Sequence, residues 1–434
     1  MRPGTNQEHS KNYNRRVVLE VIRLHEPISR AEIARLVGLT AQTIANIVEE
    51  LIQEGIVITR GRRQGQRGQP ALELEFNPNG AFAVGLHLDR DLLTAVLVNL
   101  KGEQQRIEHH HVSFTTPEGA YPFMRRAVES LISAQLIPRE RVWGVGLALP
   151  GPTQAPNARS GVLSSEQNWV RGAVRDLLER ELGLPVFAEN DATAAAIGEH
   201  WYAAHRDTKS FFYVYFGLGL GGGMISQGQP YQGFAGNAIE FGHISVRHDG
   251  PICKCGGRGC LELYTSTNAM HEFLRTRGLH VSSEAALVNL SKDDQLHLDA
   301  WLDHAAQHLA PAIVTIENLF DPELIVLAGR WPRALLDGLM IRLELLVPPL
   351  RMQQKPYRPP IVSAEVGEDA AALGAATLPI FASLAPHQEQ LLKHPTSVTD
   401  ARGGEPSPKK QSNFRPILPL SASSASNKNS ANVD

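Results

Sequence analysis

Between residues 81 and 384, short apolar runs alternate with segments of helical periodicity, and no other feature of the sequence restricts the fold so tightly. Apolar runs of strand length suit strands covered on both faces, and a helix between two of them is the connection that parallel strands need. The rhythm predicts an α/β architecture with helices packed on the faces of its sheets. The runs are Ala81–Leu88, Leu93–Val98, Ile107–Phe114, Val142–Leu149, Pro185–Ala188 and Phe211–Phe216, with helices expected at 118–135, at 172–182 and after Asp191. No repeat at solenoid or propeller periods competes with this reading. A chain of 434 residues, 42% apolar with three cysteines and a formal charge of −3, is long enough for two or three domains with sizeable cores. Such a composition excludes collagen-like, disordered and disulfide-stapled chains. No run reaches the roughly 18 apolar residues of a membrane span, and the N-terminal stretch lacks the apolar segment of a secretory signal. A cytoplasmic protein is expected.

Residues 11–76 form a different compositional zone. Helical periodicity covers 12–25, and Ser29-Arg30-Ala31-Glu32 is a capping box opening a second helix that stops at Gly38. Thr40 can cap a third helix, whose Ile44, Ile47, Val48, Leu51 and Ile52 recur on one face while Gln42, Thr43 and Asn46 look the other way. Helix, short glycine turn and polar-faced helix is the helix-turn-helix layout, with the third helix shaped for a major groove. Ile56–Thr59 and the alternating Ala71–Phe76 then predict two strands around a basic loop, a wing. Its Arg60, Arg62, Arg63 and Arg67 have no acid between them and are expected to meet phosphates or a minor groove. Alone, a helix pair can simply pack and a charged loop can simply be solvated. Adjacent and in winged-helix order, they make double-stranded DNA the expected partner. Residues 1–10 are expected to be flexible, and the Ser/Pro/Asn/Lys-rich stretch 396–434 is too polar to offset its chain entropy and is expected to be disordered.

The most specific local signal is Glu240-Phe241-Gly242-His243 followed by Cys253-x-Cys255-Gly-Gly-Arg-Gly-Cys260-Leu-Glu262. Three thiolates and one imidazole complete a tetrahedral zinc shell, and with no open position the zinc would be structural. His243 could bind metal through one ring nitrogen and a ligand through the other, while Glu240 and Glu262 could converge on a polyhydroxylated molecule. Asp191, delivered by a strand onto a helix start, is a candidate base or sugar-hydroxyl acceptor, with a plain helix cap as the alternative. Gly217-Leu-Gly-Leu-Gly-Gly-Gly223 could bring backbone amides close to a phosphate or sugar, although many such turns are merely tight. His109, His110 and His111 read as strand positions on alternate faces rather than as a metal site.

Taken together, Leu-Pro-Gly-Pro at 149–152, Glu-Asn-Asp-Ala at 189–192, the glycine run, Glu-x-Gly-His and the cysteine block resemble the ROK family of repressors, open reading frames and kinases. The resemblance spans nearly all of residues 10–384. It implies an actin-like, hexokinase-type fold of two α/β lobes over 81–384 with a sugar-binding cleft between them. It further implies sugar contacts at Gly151, Asn190, Asp191, Glu240, His243 and Glu262, and zinc ligands at His243, Cys253, Cys255 and Cys260.

The chain also departs from the kinase pattern. Where ROK kinases carry Asp-x-Gly-Gly-Thr for the ATP phosphates, it has His87-Leu88-Asp89-Arg90-Asp91, and the later Leu-Gly-Gly-Gly is Leu327-Ala328-Gly329-Arg330-Trp331. Two acids repel a γ-phosphate, and bulky Arg330 and Trp331 are expected to crowd a nucleotide. Family kinases place Asn where Ser165 stands, four residues before Trp169, so the preferred sugar is expected to differ. The expected function is a sugar-responsive transcriptional regulator, a homodimeric or homotetrameric repressor released from its operator by a sugar or sugar phosphate, with Asp191 a vestigial base. The alternative is an active sugar kinase with a DNA-binding arm.

Overall fold

The computed structural model describes residues 7–62, 72–89, 92–112, 117–150, 171–203, 208–234, 236–281 and 284–384. The chain starts with α1 (Gln7–His25), β1 (Ile28–Ser29), α2 (Arg30–Val37), α3 (Ala41–Gln53), β2 (Val57–Arg62) and β3 (Leu72–Phe76), the strands ordered β1-β3-β2. Residues 7–10, expected to be flexible, are helical: they extend α1 ahead of the 2.8 Å Lys11–Glu50 ion pair. The capping box forms as expected, with Ser29 N–H donating to Glu32 and Glu32 N–H to Ser29 Oγ. Gly38 closes α2 at φ 69°, a left-handed conformation that glycine adopts without strain. Thr40 caps α3 by accepting from the Thr43 N–H at 3.2 Å, and Ile44, Ile47, Val48 and Leu51 turn inward.

Two lobes follow. The first holds β4 (Phe82–Asp89), β5 (Leu92–Asn99), β6 (Gln104–His111), α4 (Pro117–Ala134), β7 (Val142–Leu149), α5 (Arg171–Leu182), β8 (Val186–Asn190) and α6 (Asp191–Tyr202). Its sheet runs β6-β5-β4-β7-β8, with β5 antiparallel to both neighbours and β7 and β8 parallel to β4. In the second lobe come β9 (Phe211–Phe216), β10 (Leu220–Ser226), β11 (Gln229–Pro230), α7 (Glu262–Thr265), α8 (Thr267–Arg275), α9 (Lys292–Phe320), β12 (Leu324–Gly329), α10 (Arg333–Leu346), β13 (Ile361–Ser363) and α11 (Ala370–Leu384). That sheet runs β11-β10-β9-β12-β13 with the same antiparallel and parallel pattern. One hairpin-then-crossover topology therefore occurs twice without a sequence repeat.

Helix α11 returns to the first lobe and is buried nearly all round, as its Ala-rich sequence allows. It lies so close to β7 that a Cβ on Gly146 would sit 1.7 Å from the Ala375 carbonyl oxygen, and so close to α6 that one on Gly374 would sit 1.7 Å from that of Ala194. Val18, Leu19 and Ile22 of α1 share one buried cluster with Ile44 and Leu51 of α3, Val96 and Val98 of β5, and Ala376 and Ile380 of α11. The core of the winged helix is thus continuous with that of the first lobe. No helix among the described residues is long and apolar enough to cross a membrane.

Candidate functional site

The backbone that carries the cysteines folds into a compact knuckle. Cys253 N–H donates to the Gly257 carbonyl, Gly256 N–H to that of Cys253, and Leu261 N–H to that of Ile244, which ties the loop to the turn bearing His243. Gly259 is required here twice over: its φ is 65°, and a Cβ would lie 1.7 Å from the Arg247 carbonyl oxygen. The result brings the ligand atoms of His243, Cys253, Cys255 and Cys260 within 4.8 Å of one another. Cys255 Sγ lies 3.6 Å from Cys260 Sγ, and Cys253 Sγ 3.7 Å from His243 Nδ1. A tetrahedral ion with metal–sulfur bonds of about 2.3 Å spaces its sulfurs by about 3.8 Å, so these donors match a metal shell. Burial, joined by the Glu262 carboxylate, pushes the Cys253 thiol well above its ordinary range, and burial raises that of Cys260. A bound cation reverses that preference by stabilising thiolates. The Nδ1 edge of His243 faces the cluster and Glu262 Oε1, at 3.5 Å, which leaves Nε2 on the opposite edge. By donor set and spacing, these four side chains could hold a metal ion.

A polar recess opens beside it, lined by Asn190 and Glu240 together with Arg171, Glu189 and Gln232. Asn190 caps α6, its side chain accepting from Ala192 N–H at 3.0 Å and Thr193 N–H at 3.4 Å. The helix-cap alternative raised for Asp191 thus belongs to its neighbour. Asp191 accepts from the Ala192 N–H at 2.9 Å and is crowded by protein although solvent still reaches part of it. Desolvation pushes its carboxyl above the usual range and Asp89 adds to the effect, against the pull of His87 and Arg171. Glu240 is exposed at the start of the turn that carries His243. The structure therefore groups the expected sugar contacts in three places: Asn190 and Glu240 in the recess, His243 and Glu262 at the metal cluster, and Asp191 toward His87 and Asp89. Gly151, Ser165 and Trp169 lie outside the described residues.

Two charged residues of the recess escaped the sequence reading. Arg171, buried at the start of α5, donates to the Gly236 carbonyl at 3.1 Å; burial lowers its pKa, opposed by Glu189, Asp191 and Glu240. Buried Glu189 accepts from Asn190 N–H at 2.7 Å and from Gln232 Nε2 at 2.9 Å. The Glu-Asn-Asp string held a signal for Glu189, whereas a helix-start arginine reads as solvated.

On the side where a kinase would hold nucleotide, Arg330 at the end of β12 donates to Asp89 at the end of β4, 2.8 Å away. This ion pair joins the two lobes. Trp331, expected to crowd a nucleotide, instead turns inward: it stacks on Phe216 with ring centroids 4.3 Å apart and donates to Thr267 Oγ1 at 2.8 Å. The apolar ring gains more from the core than from the cleft mouth. The glycine run also divides: Gly217 and Gly219 sit in the turn, but Gly221, Gly222 and Gly223 belong to β10, where a Cβ would strike Ala192 or Ile239 at 2.7–2.8 Å. Those three serve close packing rather than a phosphate cradle.

At the other end of the molecule, Thr40, Gln42 and Asn46 are exposed on the first turns of α3 and Thr43 is half-buried. Gln42 Nε2 donates to Asn46 Oδ1 at 2.9 Å, and Thr40 Oγ1 meets Thr43 Oγ1 at 2.9 Å. The acids Glu50 and Glu54 of α3 and its C-cap are engaged by Lys11 and Arg15 of α1, while Glu49, three residues beyond Asn46, is exposed and lies 3.7 Å from Arg30. Arg60 is exposed on β2, 3.6 Å from Glu75. Arg63 and Arg67 fall outside the described residues, as does the Arg62 side chain.

The sequence matches a winged helix-turn-helix DNA-binding module over residues 11–58. The xylose repressor of Bacillus spizizenii is 28% identical over 321 residues, 74% of this chain and 83% of that protein. The glucokinase of Thermotoga maritima is 31% identical over 281 residues, 60% of this chain and 86% of the kinase. Among solved structures, a ROK family transcriptional regulator that is a homolog of the E. coli MLC protein superposes with TM-score 0.69 at 24% identity, covering 87% of this chain and 98% of that one. The fold it shares is the one built above, a winged helix on two α/β lobes. The ROK family itself is matched over residues 83–380, well over half of the chain, and the protein belongs to that family.

Proposed function

We propose that this protein is a sugar-responsive transcriptional repressor of the cytoplasm, holding its effector in a kinase-type cleft that no longer handles nucleotide. The observation that carries the reading is a winged helix, with exposed polar side chains on the first turns of α3, packed directly on a sugar-kinase-type fold. The relative named as a xylose repressor supports a repressor reading, and the Arg330–Asp89 pair supports loss of the phosphate site.

In this reading Thr40, Gln42, Thr43 and Asn46 read bases or phosphates in the major groove, while the wing arginines Arg60, Arg62, Arg63 and Arg67 add sequence-independent affinity. A dimer would set two α3 helices about 34 Å apart in successive grooves. Gly151, Asn190, Asp191, Glu240, His243 and Glu262 bind the sugar, and Asp191 orients a hydroxyl that has no phosphoryl donor to attack. His243, Cys253, Cys255 and Cys260 hold a structural zinc, which fixes the turn that follows Glu240 and the start of α7 at Glu262. Metal analysis of the purified protein should return about one zinc per chain, lost in Cys255→Ser.

The deciding experiment is a thermal-shift screen of xylose, glucose, N-acetylglucosamine, glucose 6-phosphate and ATP on zinc-loaded protein, paired with anisotropy titrations on its promoter DNA. A sugar that raises the melting temperature and weakens DNA binding roughly 5- to 150-fold, with no effect of ATP, is the expected outcome. Failure of every sugar in both assays removes the effector, and ATP-dependent phosphorylation abolished by Asp191→Asn would establish a kinase instead.

A further inference from the structure

A cavity of about 370 Å³ bounded by the described residues is distinct from the recess at Asn190. It lies behind that recess, between β8, α6, β11 and α11, and no residue assigned above to sugar, metal or DNA lines it. Its walls are mainly apolar, with the partly exposed rings of Phe187, Trp201 and Phe381 joined by Ile197 and Leu378. Glu189 and Gln232, bonded to each other at 2.9 Å, line both the cavity and the recess, and so form a partition between the two. His200 lines the cavity as well; burial and the nearby Arg23 lower its pKa, so the wall carries a neutral imidazole at pH 7.

The same wall touches the DNA-binding module. Arg23 of α1 lies over the Trp201 ring, 4.9 Å from its centroid, and Arg16 of α1 donates to the Ala382 carbonyl at the rim of the cavity. Trp201 and Phe381 meet edge to face at 6.5 Å, so the ring that Arg23 covers is braced by a second ring of the cavity.

We propose that this cavity is a second ligand site, for a neutral aromatic molecule of one or two fused rings carrying a hydrogen-bond donor, and that its filling is felt by α1. Partly uncovered aromatic walls select a flat apolar body, which gains burial and ring contacts there. The acceptor oxygens of Glu189 and Gln232 at one end select a donor. An ionised ligand is disfavoured, because the partition carboxylate is already hydrogen-bonded, the Arg175 guanidinium on the wall is paired with Asp176 at 2.6 Å, and the imidazole is neutral. A ligand against Trp201 and Phe381 restricts both rings and with them the surface on which Arg23 rests. The binding claim stands independently of the repressor reading; only its consequence for DNA rests on it.

Indole and 2-naphthol are suitable probes, being neutral, aromatic and donor-bearing. Titrated into the full-length protein and followed by calorimetry or saturation-transfer NMR, at least one should bind saturably with a dissociation constant of roughly 1 mM or below. Leu378→Trp on α11 and Ala188→Phe on β8 each add bulk to the cavity lining, and whichever retains the wild-type circular dichroism and melting temperature should weaken binding tenfold or more. Amide exchange across α1 should slow severalfold when the probe is bound, and this protection should disappear in Arg23→Gln while binding persists. Saturable binding of neither probe overturns the proposal, as does undiminished binding in a folded, cavity-filled variant. Displacement of the probe by a sugar that binds the recess would overturn it too, since the probe would then be in the recess. Binding without any change in α1 exchange would remove the link to the DNA-binding module.

Discussion

Asp191 sits where burial opposes its charge, and that opposition has a measurable sign. Its folded pKa is raised, so the native state holds the proton more tightly than the unfolded chain does. Stability is therefore highest below the unfolded pKa and declines as pH rises through the folded one. Asp191→Asn, which cannot ionise, should raise the melting temperature at pH 7, with the gain vanishing as pH falls below about 3.9. It should also weaken sugar binding, so that stability and ligand affinity move in opposite directions; a variant less stable than wild type at pH 7 would contradict the account. The Arg330–Asp89 pair makes a second residue-scale prediction. Both side chains are largely shielded, at 22% and 13% exposure, and they bond at 2.8 Å between lobes, so a double-mutant cycle with Arg330→Ala and Asp89→Ala should give a coupling of roughly 1–3 kcal/mol. Additive effects in chemical denaturation would show that the pair contributes nothing beyond its separate charges.

Among the elements, the crossing of α6 and α11 leaves no room for a side chain at Gly374. Gly374→Ala would press a Cβ to 1.7 Å from the Ala194 carbonyl oxygen, an atom of the neighbouring helix that cannot rotate away. We expect a loss of about 3 kcal/mol or more, at the upper end of overpacking effects. Gly278→Ala separates backbone strain from crowding, because Gly278 has φ 82° with open space around it; its cost should be only about 1–2 kcal/mol. Equal costs in urea denaturation would refute close packing as the reason for glycine at 374. These elements also show what the sequence could disclose. Apolar runs announced β4, β5, β7 and β9, and cap chemistry placed α2 and α3, because those signals are local. Strands β11 and β13 have two and three residues and exist through their partners, so no local pattern marks them. The four clustered donors were legible because His243 and the three cysteines lie close together in the sequence. Arg171 was not, since the carboxylates it faces come from β8, α6 and the segment before the turn at Phe241. Nor was the inward turn of Trp331, which is decided by Phe216 and Thr267 on other elements.

In the whole molecule, the boundary drawn from composition at residues 76–81 does not separate two cores. Side chains of α1, α3, β5 and α11 occupy one buried cluster, and polar contacts brace the joint: Phe76 N–H donates to Glu26 at 2.7 Å, and Lys101 pairs with Glu26 at 3.3 Å and Glu75 at 3.6 Å. A domain on a loose tether could sense a ligand only by being blocked or released. A domain sharing a core must move with the lobe beneath it, which is the coupling a sugar-driven change in DNA affinity requires. The physical test is whether the two parts open together. Under native conditions the amides of Val18 and Ile22 in α1 should exchange with the same opening free energy as that of Ala376 in α11, within about 1 kcal/mol, because exposing either set breaks the same cluster. Removing residues 1–76 should then uncover apolar surface on β5 and α11, lowering the melting temperature of the remainder and making it bind a hydrophobic dye. Opening of α1 several kcal/mol below α11, or a truncated protein as stable as the full chain, would mean that the winged helix is carried rather than coupled, and effector control would have to act by blocking the DNA-reading face.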